Sequence, residues 1–375
     1  MTSQLFSPFS MRGLTLENHI VVSPMCQYSA EDGSATDWHL MHLGQFAVSG
    51  VALVITEAAA VEPRGRISPG CLGIYSDENE AALARVIAFC REYGQAKMGI
   101  QLHHAGRKAS CHTPQGGRHS LGKGEGAWQT VSSSDRPHDE GWHTPETLDK
   151  DGLAEVKAAW VQATERADRV GFDMIEMHMA HGYFFHQFLS PLANDRNDEY
   201  GGDLEGRMRY PLEAFEAVRA AWPEEKPLGV RISTTDWVEG GWNPDEAAVL
   251  CRELKARGCD YICTSSGGVS ERQQIQLGEG YQVDFAEKIK READIPTMAV
   301  GMIMDPHHAE SILAEGKADM VALARGLLFD THWAVSAAAA LGDKVTAPPQ
   351  YERGYWFDFL REMRGAPLPN QEAAE

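Results

Sequence analysis

The sequence predicts an α/β protein built as a single closed (β/α)8 barrel. Three observations carry this: eight short β-rich apolar runs, helical periodicity between them, and glycines where helices should stop before the next strand. An open doubly wound sheet is the rival arrangement. It would want a glycine-rich phosphate loop after its first strand, whereas SPMCQYS stands there.

In chain order the runs are 19–25 (HIVVSPM), 51–58 (VALVITEA), 98–103 (MGIQLH), 174–178 (MIEMH), 228–233 (LGVRIS), 261–265 (YICTS), 297–301 (TMAVG) and 320–324 (MVALA). Each is the length of a strand and is bounded by turn or helix signals. Helical patterns are clearest over 80–93, 153–170, 212–222, 244–257 and 306–315. Gly94, Gly171, Gly258 and Gly316 close helices just before a strand, so they are expected as C-caps. Residues 108–147, rich in Gly, Pro and His, exceed what the barrel needs and follow strand three. That position lies on the C-terminal face, so the segment is expected to cap the active site. The barrel domain is thus read as 1–342. Residues 343–375 form a C-terminal tail, with the aromatic cluster QYERGYWFDFL and a polar end expected to be disordered.

Composition excludes several functions. Against 34 Lys+Arg the 375-residue chain carries 54 Asp+Glu, a net charge of −20, the wrong sign for a nucleic-acid or anionic-membrane surface. No apolar run approaches the ~20 residues a bilayer span needs. The start, MTSQLFSPFSMRG, has neither a basic n-region nor an apolar h-region, so a cytoplasmic location is expected. Seven cysteines, with no C-x-x-C pair, suggest neither a disulfide framework nor a metal cluster. Cys259 and Cys263 read as small apolar fillers of a buried strand.

Catalytic groups in a barrel belong at the C-terminal ends of strands. Those ends supply Pro24, Met25, Cys26 and Tyr28; Glu57 and Ala58; Gln101, His103 and His104; His178, His181 and Tyr183; Arg231; Gly301; and Arg325. His178-x-x-His181-x-Tyr183 is the sharpest element. Two imidazoles can hold a developing oxyanion and a nearby phenol can give a proton. Two other readings stay open from spacing alone: a zinc site completed by His103, or two satisfied structural histidines. The last two strands end in AVGMI and ALARGLL, where small residues, a helix start and the charge of Arg325 suit a phosphate.

The stretches SPMCQYSAEDG, EAAAVEPRGRIS, IQLHHAGRKAS, HMAHGYFFHQFLSPLANDRNDEYGGDLEGRMRY and ALARGLL, in this order, resemble the old yellow enzyme family. The resemblance is to its thermophilic-like, YqjM-like and xenobiotic reductase branch and runs from about residue 5 to 355. It implies a flavoprotein with tightly bound FMN, reduced by NADPH or NADH, that reduces activated alkenes: enones, enals, maleimides and nitroalkenes. It places Pro24, Met25 and Cys26 along the flavin, with Cys26 tuning its redox behaviour, and packs Ala58 beside the ring. Gln101 would bond the pyrimidine side, and Arg231 would face the locus of negative charge in reduced flavin. Gly301, Met302, Ala324 and Arg325 complete the cofactor set, the glycine, alanine and arginine at the phosphate.

By the same resemblance His178 and His181 grip the substrate oxygen, Tyr183 donates the proton, and Tyr28 adds a second hydroxyl. Arg353 would reach into a neighbouring subunit's site, implying a homodimer or dimer of dimers. Two positions depart from the pattern: Met302 stands where some relatives present tryptophan, and Gly206 where asparagine is common. A metal-dependent barrel hydrolase using His103, His178 and His181 is the alternative to this reading. A longer dienoyl-CoA reductase-like flavoprotein is disfavoured, because the cysteine cluster and second nucleotide domain are missing.

Overall fold

A computed structural model describes residues 3–354. Its centre is a closed barrel of eight parallel strands in sequential order: β1 (Ile20–Val22), β2 (Leu53–Ala60), β3 (Lys97–His103), β4 (Met174–Met179), β5 (Leu228–Ser233), β6 (Tyr261–Ser265), β7 (Thr297–Ala299) and β8 (Met320–Leu323). The outer ring is α1 (Asp37–Ala47), α2 (Asp77–Tyr93), α3 (Lys150–Val170), α4 (Phe184–Leu189), α5 (Leu204–Ala221), α6 (Pro244–Ala256), α7 (Val283–Ala293), α8 (Pro306–Ala314), α9 (Arg325–Phe329) and α10 (Trp333–Leu341). This is the TIM barrel the strand count predicts.

Alternation along each strand divides the core in two. Ile20, Val22, Val54, Ile100, Ile175, Val230, Ile262 and Val321 face the helices, whereas Val21, Leu53, Ile55, Met174, Tyr261, Cys263, Met298 and Met320 fill the interior. An antiparallel hairpin, Phe9–Met11 with Leu14–Leu16, adds Met11, Leu14 and Leu16 to that interior cluster and plugs the barrel floor. One position in the wall is forced: a Cβ on Gly229 would meet the Tyr261 ring 1.9 Å away. Only glycine lets that ring lie inside the barrel.

Two expectations need correction, and a third is met in another conformation. Gly171, Gly258 and Gly316 take positive φ as caps, and Gly94 also caps α2 but is extended at φ −97. It is glycine because a Cβ there would lie 2.6 Å from both Cys90 O and the Ala47 Cβ. The helix expected over 212–222 begins eight residues earlier, at Leu204, where Asp203 caps the Gly206 N–H at 2.9 Å. Pro211, one residue before the expected start, lies inside it. Gly206 itself has a steric reason, since a Cβ would sit 2.1 Å from Gly201 O. Cys259 precedes β6 rather than lying on it, although both it and Cys263 are buried as expected. The aromatic residues from Tyr355 onward lie outside the described residues.

Candidate functional site

A bulge in β2 sets the first wall of the site. Ile55 pairs with Gly99 and Ala58 with Gln101, so three steps on β2 match two on β3. Ala58 therefore stands beside Gln101 at the mouth, and Glu57 is turned elsewhere. Its carboxylate accepts from the Gln27 N–H at 3.1 Å and lies 3.0 Å from His39 Nε2 on α1. Those bonds fix the irregular loop after β1 that carries Pro24, Met25, Cys26 and Tyr28. Tyr28 adopts φ +54, a strained value for a bulky residue. Burial raises the Cys26 and Tyr28 pKa values, keeping thiol and phenol protonated.

β4 presents Met174, Glu176 and His178 to the interior in turn, and the chain then folds over so that His181 returns to the mouth at φ +59. The Ala180 N–H donates to His178 Nδ1 at 3.2 Å, which leaves the His178 proton on Nε2, 3.3 Å from His181 Nδ1. His181 Nε2 lies 2.7 Å from the Ser265 hydroxyl, which can donate or accept. Tyr183 stands edge-on to His178 at 5.1 Å and to His103 at 4.5 Å between ring centroids. Burial first, then the neighbouring imidazoles and cations, drives the His178 and His181 pKa values well below 6.5. Both rings are neutral donors. Burial likewise pushes the Tyr183 phenol up.

His103 and His104 point apart, as adjacent strand residues must. His103 stacks in the mouth, while His104 lies 2.7 Å from Glu62 and packs on Phe184. The three imidazoles of His103, His178 and His181 meet as tilted or edge-on rings rather than around a point. Among the described residues no three His, Cys, Asp or Glu side chains are grouped to hold a metal ion.

A cavity of about 270 Å³ opens between the ends of β5 to β8. It is lined by Ser23, Arg231, Gly301, Met302, Ala324 and Arg325, among others. Arg231 Nη1 donates to Ser23 Oγ at 3.1 Å, but its buried Nε has no partner, nor has either nitrogen of buried His103. Unpartnered buried donors of this kind suit a polar ligand. Gly301 takes φ +130, which L side chains rarely adopt, and Met302 also has positive φ, at +58. The helix after β8 is only five residues long, so the expected dipole contributes little and the charge of Arg325 dominates. The donors, the glycine cradle and the cation fit a phosphate-bearing flavin.

A second cavity, of about 740 Å³, adjoins the first through His181 and Ser266. Tyr28 and Tyr183 line it from the barrel, and Cys111, His112, Arg118, His138 and Trp142 come from the 108–147 excursion.

Of the candidates, Tyr28, His181, Tyr183, Arg231, Gly301, Met302, Ala324 and Arg325 line the two adjoining cavities, and His103 and His178 pack against Tyr183; Glu57 and His104 turn away, and Arg353 is exposed in the turn Pro349–Gly354. Several contributors were missed. Lys108 is half-buried and donates to His181 O at 3.0 Å and Gly268 O at 2.7 Å, with its ammonium 5.1 Å from the Tyr183 ring centroid. Glu176 lies beneath the site, accepting from Gln101 Nε2 at 2.7 Å and from the Tyr261 hydroxyl at 3.2 Å. Its signal was present: a carboxylate two residues before His178 shares that residue's inward face.

The model of the NADH:flavin oxidoreductase / NADH oxidase family matches residues 4–344. NADPH dehydrogenase of Geobacillus sp. (strain WCH70) is 44% identical over 359 residues, covering 95% of this chain and all of the relative. NADPH dehydrogenase of Bacillus subtilis (strain 168) is 42% identical over 357 residues, with the same coverage. Among solved structures, morphinone reductase superposes with a TM-score of 0.75 at 26% identity, over 93% of each chain. The chain therefore belongs to the NADH:flavin oxidoreductase / NADH oxidase family, the old yellow enzymes that its motifs resemble.

Proposed function

We propose that this NAD(P)H-dependent flavin oxidoreductase is an ene-reductase for alkenes activated by a carbonyl or nitro group. The observation that carries the reading is the neutral His178–His181 pair, with Tyr183 against it, where the two cavities meet. FMN, held by the residues named below, would supply the hydride chemistry that links NAD(P)H to the β-carbon of the alkene.

The residues of the chain supply the rest. His178 Nε2–H donates to the substrate oxygen. His181 adds a second donor through Nδ1 when the Ser265 hydroxyl donates to its Nε2. Negative charge develops on that oxygen as hydride arrives, so donors aimed there stabilise the transition state more than the ground state. Tyr183, protonated because it is buried, delivers the proton to the α-carbon, and Tyr28 supplies a second hydroxyl over the pocket.

Gln101, Ala58 and the 24–26 backbone would bound the flavin ring, with Cys26 at its reactive edge. Arg231 would offset charge on its reduced form. Gly301, Met302, Ala324 and Arg325 would hold the phosphate end. Arg353, exposed in a single chain, would complete the site of a neighbouring subunit in a homodimer or dimer of dimers. Sedimentation of wild type and Arg353→Ala tests that assignment.

The main test is the visible spectrum of the purified protein under anaerobic conditions. Flavin bands that bleach with NADPH and return with 2-cyclohexen-1-one are expected. His178→Ala and His181→Ala should slow the return more than the bleaching. A colourless protein that FMN does not reconstitute would overturn the reading.

A further inference from the structure

The capping excursion brings to the substrate cavity a guanidinium that the proposed reaction does not use. Residues 110–121 form a flap: the Leu121 N–H donates to Ser110 O and the His112 N–H to His119 O, both at 2.9 Å. The His112 and His119 rings stack at 4.3 Å, and the His143 N–H donates to Ser120 Oγ at 3.0 Å, which ties the flap to the rest of the lid. Its tip ends in Gly117 and Arg118, and both line the cavity together with Tyr28, His181 and Tyr183. Arg118 takes φ +53, an uncommon value for a residue that is not glycine.

Four other cations of this face are engaged. Arg136 pairs with Asp195, Arg66 with Asp32, Lys108 bonds two carbonyls, and Arg107 bonds the Arg136, Pro137 and Val269 carbonyls. Among the described residues the Arg118 side chain makes no hydrogen bond or ion pair, yet its charge bears on Cys26, Tyr28, Lys108 and Cys111. Of the two acidic residues lining the cavity, Glu271 is engaged by His138 at 3.0 Å and Asp139 is exposed. A chain with a net charge of −20 repels anions at long range. An uncompensated guanidinium at the cavity mouth reverses that locally, and its planar fork suits a carboxylate or phosphate.

We propose that Arg118 is an anion-recognising subsite: it binds a carboxylate or phosphate at the far end of a molecule whose reacting end lies at His178 and His181. The anion has two sources, a carboxylate on the alkene or a phosphate of the nicotinamide dinucleotide. The inference rests on the ene-reductase reading, and the test separates the two.

Steady-state kinetics of wild type, Arg118→Gln and Arg118→Lys are measured with NADPH or phosphate-free 1-benzyl-1,4-dihydronicotinamide. Each is combined with neutral 2-cyclohexen-1-one or with 4-oxo-2-pentenoate. In Arg118→Gln, the kcat/KM ratio of the charged to the neutral compound should fall about tenfold. A fall in the NADPH ratio names the phosphate, and a fall in the pentenoate ratio names the carboxylate. Arg118→Lys should recover part of the loss, and added salt should erode the wild-type preference. Ratios within twofold of wild type, or equal losses with all four compounds, would overturn the subsite. Wild type that fails to reduce cyclohexenone with either reductant would instead overturn the ene-reductase reading.

Discussion

Replacing Lys108 by methionine should make the protein more pH-independent in stability while impairing catalysis. Burial lowers the Lys108 pKa from 10.5 to about 8, with the Glu271 charge opposing this and Arg107 and Arg118 adding to it. A base whose folded-state pKa is depressed destabilises the fold where it must be charged. The unfolded chain binds more protons between about pH 8 and 10.5, so stability rises with pH across that window. The cost at pH 7 is about 3 kcal/mol, and about 1.4 kcal/mol of it is relieved by pH 9. With an unfolding entropy of about 2.1 cal/mol/K per residue, that relief is worth roughly 2 °C of melting temperature in a chain of this size. Scanning calorimetry of wild type and Lys108→Met at pH 7, 8 and 9 should therefore show wild type gaining about 2 °C on the variant. The variant should also lose activity, because the ammonium joins the His181 and Gly268 carbonyls across the substrate cavity. A melting-temperature difference that stays flat from pH 7 to 9 would refute the assignment of a desolvated ammonium of depressed pKa.

Four further outcomes are expected. Gly229→Ala drives a Cβ into the Tyr261 ring and should cost about 1–3 kcal/mol, read as a lowered melting temperature; an unchanged melt would contradict the packing. Glu57→Gln replaces one of two acceptor oxygens by an N–H₂ that faces either the Gln27 N–H or the His39 Nε2–H, so flavin retention on gel filtration should fall with little change in secondary structure by circular dichroism. Ser265→Ala removes the partner of His181 Nε2 and should raise KM for cyclohexenone about fivefold, for a bond worth about 1 kcal/mol, while NADPH oxidation changes less. Because His178 and His181 stay neutral well below pH 6.5, kcat/KM for the enone should show no inflection between pH 6 and 8; an acidic limb near 6.5 would show that one of them titrates there.

The barrel was legible because its period is simple. Runs such as MIEMH and LGVRIS alternate between helix-facing Ile175 or Val230 and inward Glu176 or Arg231, and each ends at the mouth. The histidine pair and the proposed phosphate end followed from where strands stop. What stayed hidden depends on contacts between distant segments. The bonds of Glu57 to α1, the ties of Lys108 to the loops after β4 and β6, and the flap that carries Arg118 join residues tens to more than a hundred positions apart. Local periodicity has no access to such pairings. The helix at Leu204–Ala221 shows a subtler limit: Pro211 stands one residue before the expected start, and only packing reveals that the helix tolerates it.

The irregularity in β2 sets the parity of the residues after it. Along an uninterrupted strand every second residue shares a face, so Leu53 and Ile55 would be followed inward by Glu57. The extra residue inverts the parity of everything after it, and Ala58 and Ala60 inherit the inward frame while Glu57 leaves it. No substitution can imitate that inversion, because it changes count rather than chemistry. Paired without the bulge, the same sequence would bring the Glu57 carboxylate opposite Gln101, to the place of Ala58, and withdraw the anchor of the loop after β1 in one step. The register at this one bulge therefore decides which side chain stands at the mouth.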